Sequence, residues 1–355
     1  LLQMDNHKVY RVGLVGFRGR GRGLANFWNA VPNAKLVALA DDVKEHCDEA
    51  KELFPGLQTF NSHKEMLDNA DIDILTVGTR PKYRPPIVKD GAETESVKAI
   101  YVEKPIANSL DQATAMIEQC KKTNTVFTVG NQRRWCPAWA KVRNSIKEGF
   151  IGRPTNGYAF WATSRVGSNG THFFDAINFV LDSTPVEAIA KLDNQVDLTK
   201  MDDSPLTQGI KEDPGGLGVV TYDNDVRISY EFMPDTTNDY TFIFCGTKGR
   251  IEFNNDFSYL EYRARDEDSR SFRGNAKMTT RNFEVPETTD EIMVSNGYKE
   301  MIHCIETGAK SSSSGEIGRQ ALELIVAFHL SSEAGTTPIN LPLAKSAHSK
   351  TLNIT

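Results

Sequence analysis

The chain has 355 residues, 39% hydrophobic and 25% charged, which fits roughly two globular domains and excludes disordered, collagen-like and coiled-coil chains. Its net charge of −6 argues against nucleic acid or an anionic membrane as a partner. The longest apolar run, near Leu324 to Leu330, is far short of the ~20 residues that span a bilayer.

Leu1-Leu2-Gln3, ahead of Met4, reads as a processing remnant, and no signal peptide is visible. Val9 to Val15 is apolar and β-rich and runs straight into a glycine cluster. Beyond it Leu24, Phe27, Trp28 and Val31 recur at i, i+3, i+4 and i+7, one face of a helix that Pro32-Asn33 ends. Leu36 to Ala40, Ile72 to Val77, Ala99 to Val102 and Val126 to Val129 read as further buried strands. Between the last two, Ser109-Leu110-Asp111-Gln112 is a capping box opening a helix with Ala113, Met116, Ile117 and Cys120 inward. The alternation predicts a doubly wound parallel sheet over residues 1–129.

The pattern changes near residue 130. Pro137 suits the first turn of a helix running to Gly149. From Pro185 the chain reads as a meander of strands: Val186 to Leu192, Leu217 to Tyr222, Val226 to Phe232, Thr241 to Phe244, Arg250 to Phe253 and Tyr259 to Tyr262. Asp223-Asn224-Asp225 and Thr247-Lys248-Gly249 supply hairpin-type turns. Two late helices, about 290–306 and 316–333, flank Ser311 to Ser314, which reads as an exposed loop. Residues 130–355 are therefore expected to form an α+β domain with a mostly antiparallel sheet.

Gly16-Phe17-Arg18-Gly19-Arg20-Gly21 lies between the first strand and the first helix, a dinucleotide fingerprint with Arg at the middle glycine. The first glycine allows the tight turn and the third lets helix and strand pack closely, while loop amides meet a pyrophosphate at the helix N-terminus. Arg18 adds a side chain whose guanidinium could reach a phosphate, and arginines at 18, 20 and 22 crowd the proposed site. Asp41 closes the second strand, where a carboxylate would accept the two ribose hydroxyls of an adenosine. A helix N-cap role is compatible with this. Asp41 and Asp42 together would repel a 2′-phosphate, so NAD is favoured over NADP and the first domain is of Rossmann type.

At Val102-Glu103-Lys104-Pro105, within "AIYVEKPIANSLDQA", the sequence resembles the Gfo/Idh/MocA oxidoreductase family. "VGTRP" at 77–81, "NQRRW" at 131–135, "GFIGRP" at 149–154, "GTHFFD" at 170–175 and "CGTKGRIEF" at 245–253 match in the family's order over nearly the whole chain. The resemblance implies a Rossmann domain followed by an α+β domain with an open sheet, which in the family often mediates dimers or tetramers. It adds Thr79, Arg80 and Pro81 to the cofactor residues, and it implies NAD(P)-dependent oxidation or reduction of a secondary hydroxyl or carbonyl on sugars, inositols and related compounds.

The chemistry of the residues agrees. Hydride leaves a carbon as its hydroxyl proton departs, so a cation and a base are needed nearby. Lys104, just past the carboxyl end of a strand, would hydrogen-bond the reacting oxygen and stabilise its developing charge. Glu103 would orient the carboxamide end of the cofactor or the lysine, and Pro105 would fix the turn. His172 is the base candidate, at the first turn of a helix whose Phe174, Ile177 and Leu181 face the core. Asp175 either orients the imidazole or complements the helix dipole. Trp161 either stacks on a sugar face or belongs to the core. Asn131, Arg133 and Asn169 are polar candidates for substrate recognition, with Arg133, Arg134 and Trp135 expected in an interdomain cleft.

Two departures stand out. Many dehydrogenases of the family carry an Asp one turn before the histidine, where this chain has Ser168, and the segment from Trp161 to His172 is short. The expected activity is hydride transfer between NAD(H) and a sugar, polyol or glycoside. Alternatives are an enzyme that retains NAD for transient oxidation during elimination or glycoside cleavage, and a non-catalytic NAD-binding subunit or sensor. The other histidines show no ligand spacing, so no metal is expected. Five scattered cysteines, odd in number and never in a Cys-x-x-Cys pair, read as packed thiols of a cytoplasmic protein.

Overall fold

The computed structural model describes residues 8–162, 165–193, 213–233, 240–265 and 278–354. They fall into two compact units, residues 8–135 with 289–319, and the described residues of 136–288 with 320–354.

In the first unit β1 (Tyr10–Val15), α1 (Arg20–Phe27), β2 (Ala34–Ala40), α2 (Lys44–Leu53), β3 (Gln58–Phe60), α3 (His63–Asn69), β4 (Ile74–Val77), α4 (Arg84–Glu93), β5 (Ala99–Val102), α5 (Leu110–Lys122) and β6 (Val126–Val129) alternate along the chain. The six strands pair in parallel in the order β3-β2-β1-β4-β5-β6. Every residue of β4 and β5 is buried, as expected of parallel strands covered on both faces. The order reverses between β1 and β4, so the carboxyl ends of these strands are where an α/β sheet binds ligands. Ser109 caps α5 by accepting the Gln112 amide at 3.3 Å, but the Gln112 side chain reaches the Asn108 amide at 3.1 Å instead of closing the expected box on Ser109.

The second unit contains α6 (Pro137–Lys147), β7 (Pro154–Ala162), α7 (Gly170–Leu181), β8 (Pro185–Leu192), β9 (Gly216–Tyr222), β10 (Arg227–Met233), β11 (Tyr240–Gly246), β12 (Gly249–Asn254), β13 (Leu260–Arg265) and β14 (Met278–Asn282). Then come α8 (Asp290–Thr307), α9 (Gly315–Glu333) and β15 (Ile339–Asn340). The sheet order is β14-β13-β12-β11-β7-β10-β9-β8-β15. Strand β7, which the sequence reading passed over, lies inside the sheet, parallel to β10 and antiparallel to β11. One face is aromatic: Trp139 of α6 meets Phe242 and Phe253 edge-on at 4.9 and 5.0 Å, and Phe174 of α7 meets Phe328 of α9 at 4.9 Å. Val220 and Tyr222 of β9 and Ile228, Tyr230 and Phe232 of β10 are buried, while Leu217 and Met233, at alternate positions of the same strands, are exposed on the other face.

Two expectations are corrected. Helix α8 follows the antiparallel strands in sequence and was expected in the second domain, yet it packs on the first. Its Tyr298 stacks on Trp28 with centroids 3.8 Å apart and meets Tyr101 edge-on, while Val294, Met301 and Ile302 join the same buried cluster. The serine run is not a simple exposed loop either. The edge of β6 needs partners for its backbone groups. The Ser313 carbonyl accepts the Val129 amide at 2.8 Å, the Ser313 hydroxyl donates to the Val129 carbonyl at 2.7 Å, and Ser314 bridges to Thr128. Ser311 and Ser313 are accordingly buried.

Candidate active site and dinucleotide cradle

The glycine loop has the geometry its residues demand. Gly16 has φ +88°, and a Cβ there would lie 2.9 Å from Thr79 Cγ2, while a Cβ on Gly21 would overlap the Gly16 carbonyl oxygen. Gly19, with φ +56°, is exposed at the turn into α1. Phe17 contributes its amide, which donates to Oδ2 of Asp41 at 2.7 Å, but its ring is buried edge-on to Phe54. Oδ1 of Asp41 accepts the Val43 amide at 3.0 Å and pairs with His46 Nδ1 at 2.9 Å. A carboxylate offers about four acceptor positions. Three are engaged, so the arrangement leaves room for one ribose hydroxyl where the sequence reading expected two. Asp41 is not the N-cap of α2, which begins after Val43.

The arginines expected around a pyrophosphate are differently employed. Arg20 donates from Nε to Glu103 Oε1 at 3.1 Å, from Nη2 to Gln132 Oε1 at 2.6 Å and from Nη1 to Asp290 Oδ2 at 2.9 Å. Arg22 pairs with Glu49 at 2.7 Å. Arg18 and Arg80 are exposed, and Pro81 is buried at the start of a short 3₁₀ turn.

At the carboxyl end of β5, Glu103 is buried, with Tyr101 Oη donating to its Oε1 at 3.3 Å. Gly130 lets this cluster close, because a Cβ there would strike Tyr101 Oη. Lys104 follows, partly buried, ahead of a cis peptide bond to Pro105. Burial pulls the Lys104 ammonium down to about 8; Glu103 opposes that fall, and the charges of Arg133, Arg20 and Arg84 add to it. Arg133 itself is buried. Arg84, which the sequence reading did not single out, is also buried. Its Nε and Nη2 donate to the Thr79 carbonyl at 2.9 and 2.7 Å, and Nη1 donates to the carbonyls of Glu103 and Pro105. Burial lowers its pKa to about 10, against the pull of Glu103 and Tyr101. The one signal for it was a basic residue heading the Arg-Pro-Pro-Ile-Val start of a helix.

These residues fit a dinucleotide. Besides the loop and Asp41, Thr79 Oγ1 and both amide atoms of Asn131 are buried and find no hydrogen-bond partner among the described residues. Buried polar groups are normally satisfied. These three orphans lie past the carboxyl ends of β4 and β6, on the edge where α/β sheets hold ligands.

In the second unit, His172 occupies the first turn of α7, partly buried, its ring 6.2 Å from Trp161 at an interplanar angle of 25°. Trp161 is almost wholly buried, its ring 4.0 Å from Phe173 and 4.8 Å from Tyr240. Asp175 is buried too, unlike a carboxylate that merely complements a helix dipole from solvent. Asn169 is the N-cap of α7 without a side-chain capping bond, its Oδ1 accepting from the Ser168 hydroxyl at 3.1 Å. Asp213, absent from the sequence candidates, is fully buried and accepts the Gly167 and Ser168 amides.

Comparison with known proteins identifies the family. Residues 10–131 match the sequence model of the Gfo/Idh/MocA family, described as an oxidoreductase family with an NAD-binding Rossmann fold, and residues 161–341 match its C-terminal alpha/beta domain. D-apiose dehydrogenase of Paraburkholderia graminis is 23% identical over 346 residues, covering 93% of this chain and 89% of that protein. scyllo-Inositol 2-dehydrogenase (NAD(+)) of Bacillus subtilis is 34% identical over 131 residues, 36% of this chain and 37% of the relative. An oxidoreductase from Agrobacterium radiobacter, solved with NAD+, L-tartaric acid and magnesium, superposes with a TM-score of 0.78 at 17% identity, over 94% of this chain and 98% of that one. With both halves matched in order, the chain belongs to the Gfo/Idh/MocA oxidoreductase family and carries its NAD-binding Rossmann domain.

Proposed function

We propose that this oxidoreductase transfers a hydride between NAD(H) and a secondary hydroxyl or carbonyl of a sugar, an inositol-type polyol or a glycoside. The observation that carries the proposal is the placement of Lys104, an ammonium past the carboxyl end of β5 and next in sequence to the buried Glu103, with its pKa pulled down to about 8 by burial and neighbouring arginines. The names of its relatives, an apiose and an inositol dehydrogenase, support the substrate class.

NAD, when bound, supplies the hydride acceptor. The loop from Gly16 to Gly21 and Asp41 would hold it. Lys104 donates a hydrogen bond to the reacting oxygen and favours its negative charge. A lysine with a lowered pKa also releases and regains a proton more readily than an exposed one. His172, on the first turn of α7, serves as acid/base, and Asn131 and Asn169 recognise hydroxyls. Exposed apolar residues on the open face of the second sheet, Leu217 and Met233 among them, support assembly into a dimer or tetramer through that face. Five free thiols support a reducing compartment.

The test is NADH absorbance across a panel of inositols, aldoses, anhydrosugars and glycosides, for the wild type and Lys104→Ala. The variant is expected to keep NAD binding and lose turnover. Undiminished hydride transfer in Lys104→Ala would falsify the mechanism. Conversion of substrate without NADH accumulation would favour the NAD-retaining alternative.

A further inference from the structure

Helix α7 begins without a local cap: the N-cap residue Asn169 makes no side-chain bond to the helix amides. Such a start is normally fixed by a side chain that satisfies free N–H groups. Here the turn before the helix is held from a distant part of the chain. Oδ1 of Asp213 accepts the Gly167 amide at 2.5 Å and Oδ2 accepts the Ser168 amide at 2.8 Å. Next to it, the Pro214 carbonyl accepts the Val166 amide at 3.0 Å. Gly167 is a necessary part of this joint, because a Cβ there would lie 2.8 Å from Asp213 Oδ1 and overlap Ile354.

We infer that Asp213 is a positioning residue for His172, its buried carboxylate setting the turn from which α7 presents the imidazole. The linkage is short and made of backbone. The Arg165 carbonyl accepts the Asn169 and Gly170 amides at 3.1 and 3.2 Å, and the Asn169 carbonyl accepts the His172 amide at 2.9 Å. Moving residues 167 and 168 therefore moves the first turn of the helix. A fully buried carboxylate is costly unless its oxygens are satisfied, and this one is spent on a turn next to a helix start, where core packing needs no charge. Burial raises its pKa, while the two amides and Arg165 draw it back.

The inference rests on the acid/base reading of His172, and its test separates the two. Histidine side-chain NMR spectra of the whole protein, followed through a pH titration, are compared for wild type and Asp213→Asn. An amide turns a donor toward one of the two N–H groups, so the joint loosens at little change in volume. The expected result is an altered shift and titration midpoint for His172 while the other histidines keep theirs. In parallel kcat should fall about tenfold with KM for NAD unchanged, and Asp213→Asn should cost nothing further in a His172→Ala background. An unmoved His172 signal overturns the inference, as does a change spread over all the histidines, which would mean general loosening. If Asp213→Asn fails to fold, Asp213→Glu takes its place: the longer carboxylate keeps the charge but displaces the turn, and the same single-histidine response is required. A wild type inactive on every sugar and polyol would refute the acid/base reading and leave the NMR result standing.

Discussion

Arg20 donates its Nε–H to Oε1 of Glu103 across 3.1 Å, tying the helix that follows the glycine loop to the strand end that carries Lys104. The two charges act on Lys104 with opposite sign: Glu103 raises its pKa and Arg20 lowers it. Glu103→Gln should therefore move the Lys104 midpoint below 8, and Arg20→Met should move it above. The pH dependence of Lys104 acylation, read by mass spectrometry, measures both. Shifts in the same direction would show that the pair acts on Lys104 through structure and not through charge.

Arg84 joins three carbonyls, those of Thr79, Glu103 and Pro105. Arg84→Met fills much of the volume but leaves these acceptors without their donor, at roughly 1–3 kcal/mol for each one that stays dry. Thermal unfolding should report a loss of at least about 3 kcal/mol, and NAD affinity should fall with it as the Thr79 loop relaxes. A melting temperature within a degree or two of wild type would mean that water reaches the three carbonyls.

Asp41 is held by the Phe17 amide and His46, with one acceptor position left. Asp41→Asn replaces one acceptor oxygen by a donor amide and removes the charge that repels a 2′-phosphate. NAD binding should weaken about tenfold, near 1.4 kcal/mol, while NADP binding weakens less or improves. Calorimetric titration with each nucleotide decides this; equal losses for both would remove Asp41 from nucleotide discrimination.

His329 on α9 is pulled down to about 4 by burial, with Lys350 adding to the fall and Glu333 opposing it. The unfolded chain, with an ordinary histidine near 6.5, then binds more protons than the folded one between these values. Stability is accordingly retained above 6.5 and lost as pH falls toward 4, by up to roughly 3 kcal/mol. Denaturant unfolding from pH 7 to 4 should show this slope, flattened in His329→Leu. An equal slope in the variant would assign the acid sensitivity to other groups.

The parallel sheet, the glycine loop, Asp41 and the Glu103-Lys104-Pro105 strand end were legible in the sequence because each rests on neighbours a few residues apart. Gly16 and Gly21 are demanded by one turn, Ser109 caps the helix it precedes, and β4 and β5 announce themselves as short, mostly apolar runs. What the order of residues could not convey were partners far along the chain. Strand β7 was missed because a strand lying inside a sheet owes its place to β10 and β11 more than to its own pattern. Helix α8 joined the first core through Tyr298 against Trp28 and Tyr101, a choice between two apolar surfaces made only when both existed. Arg84 and Asp213 are polar residues whose burial depends on backbone groups brought to them by the fold. The local rules of the chain decided that a dinucleotide domain would form. Tertiary packing decided which charges would be buried beside Lys104, and which carboxylate would hold the start of the helix bearing His172.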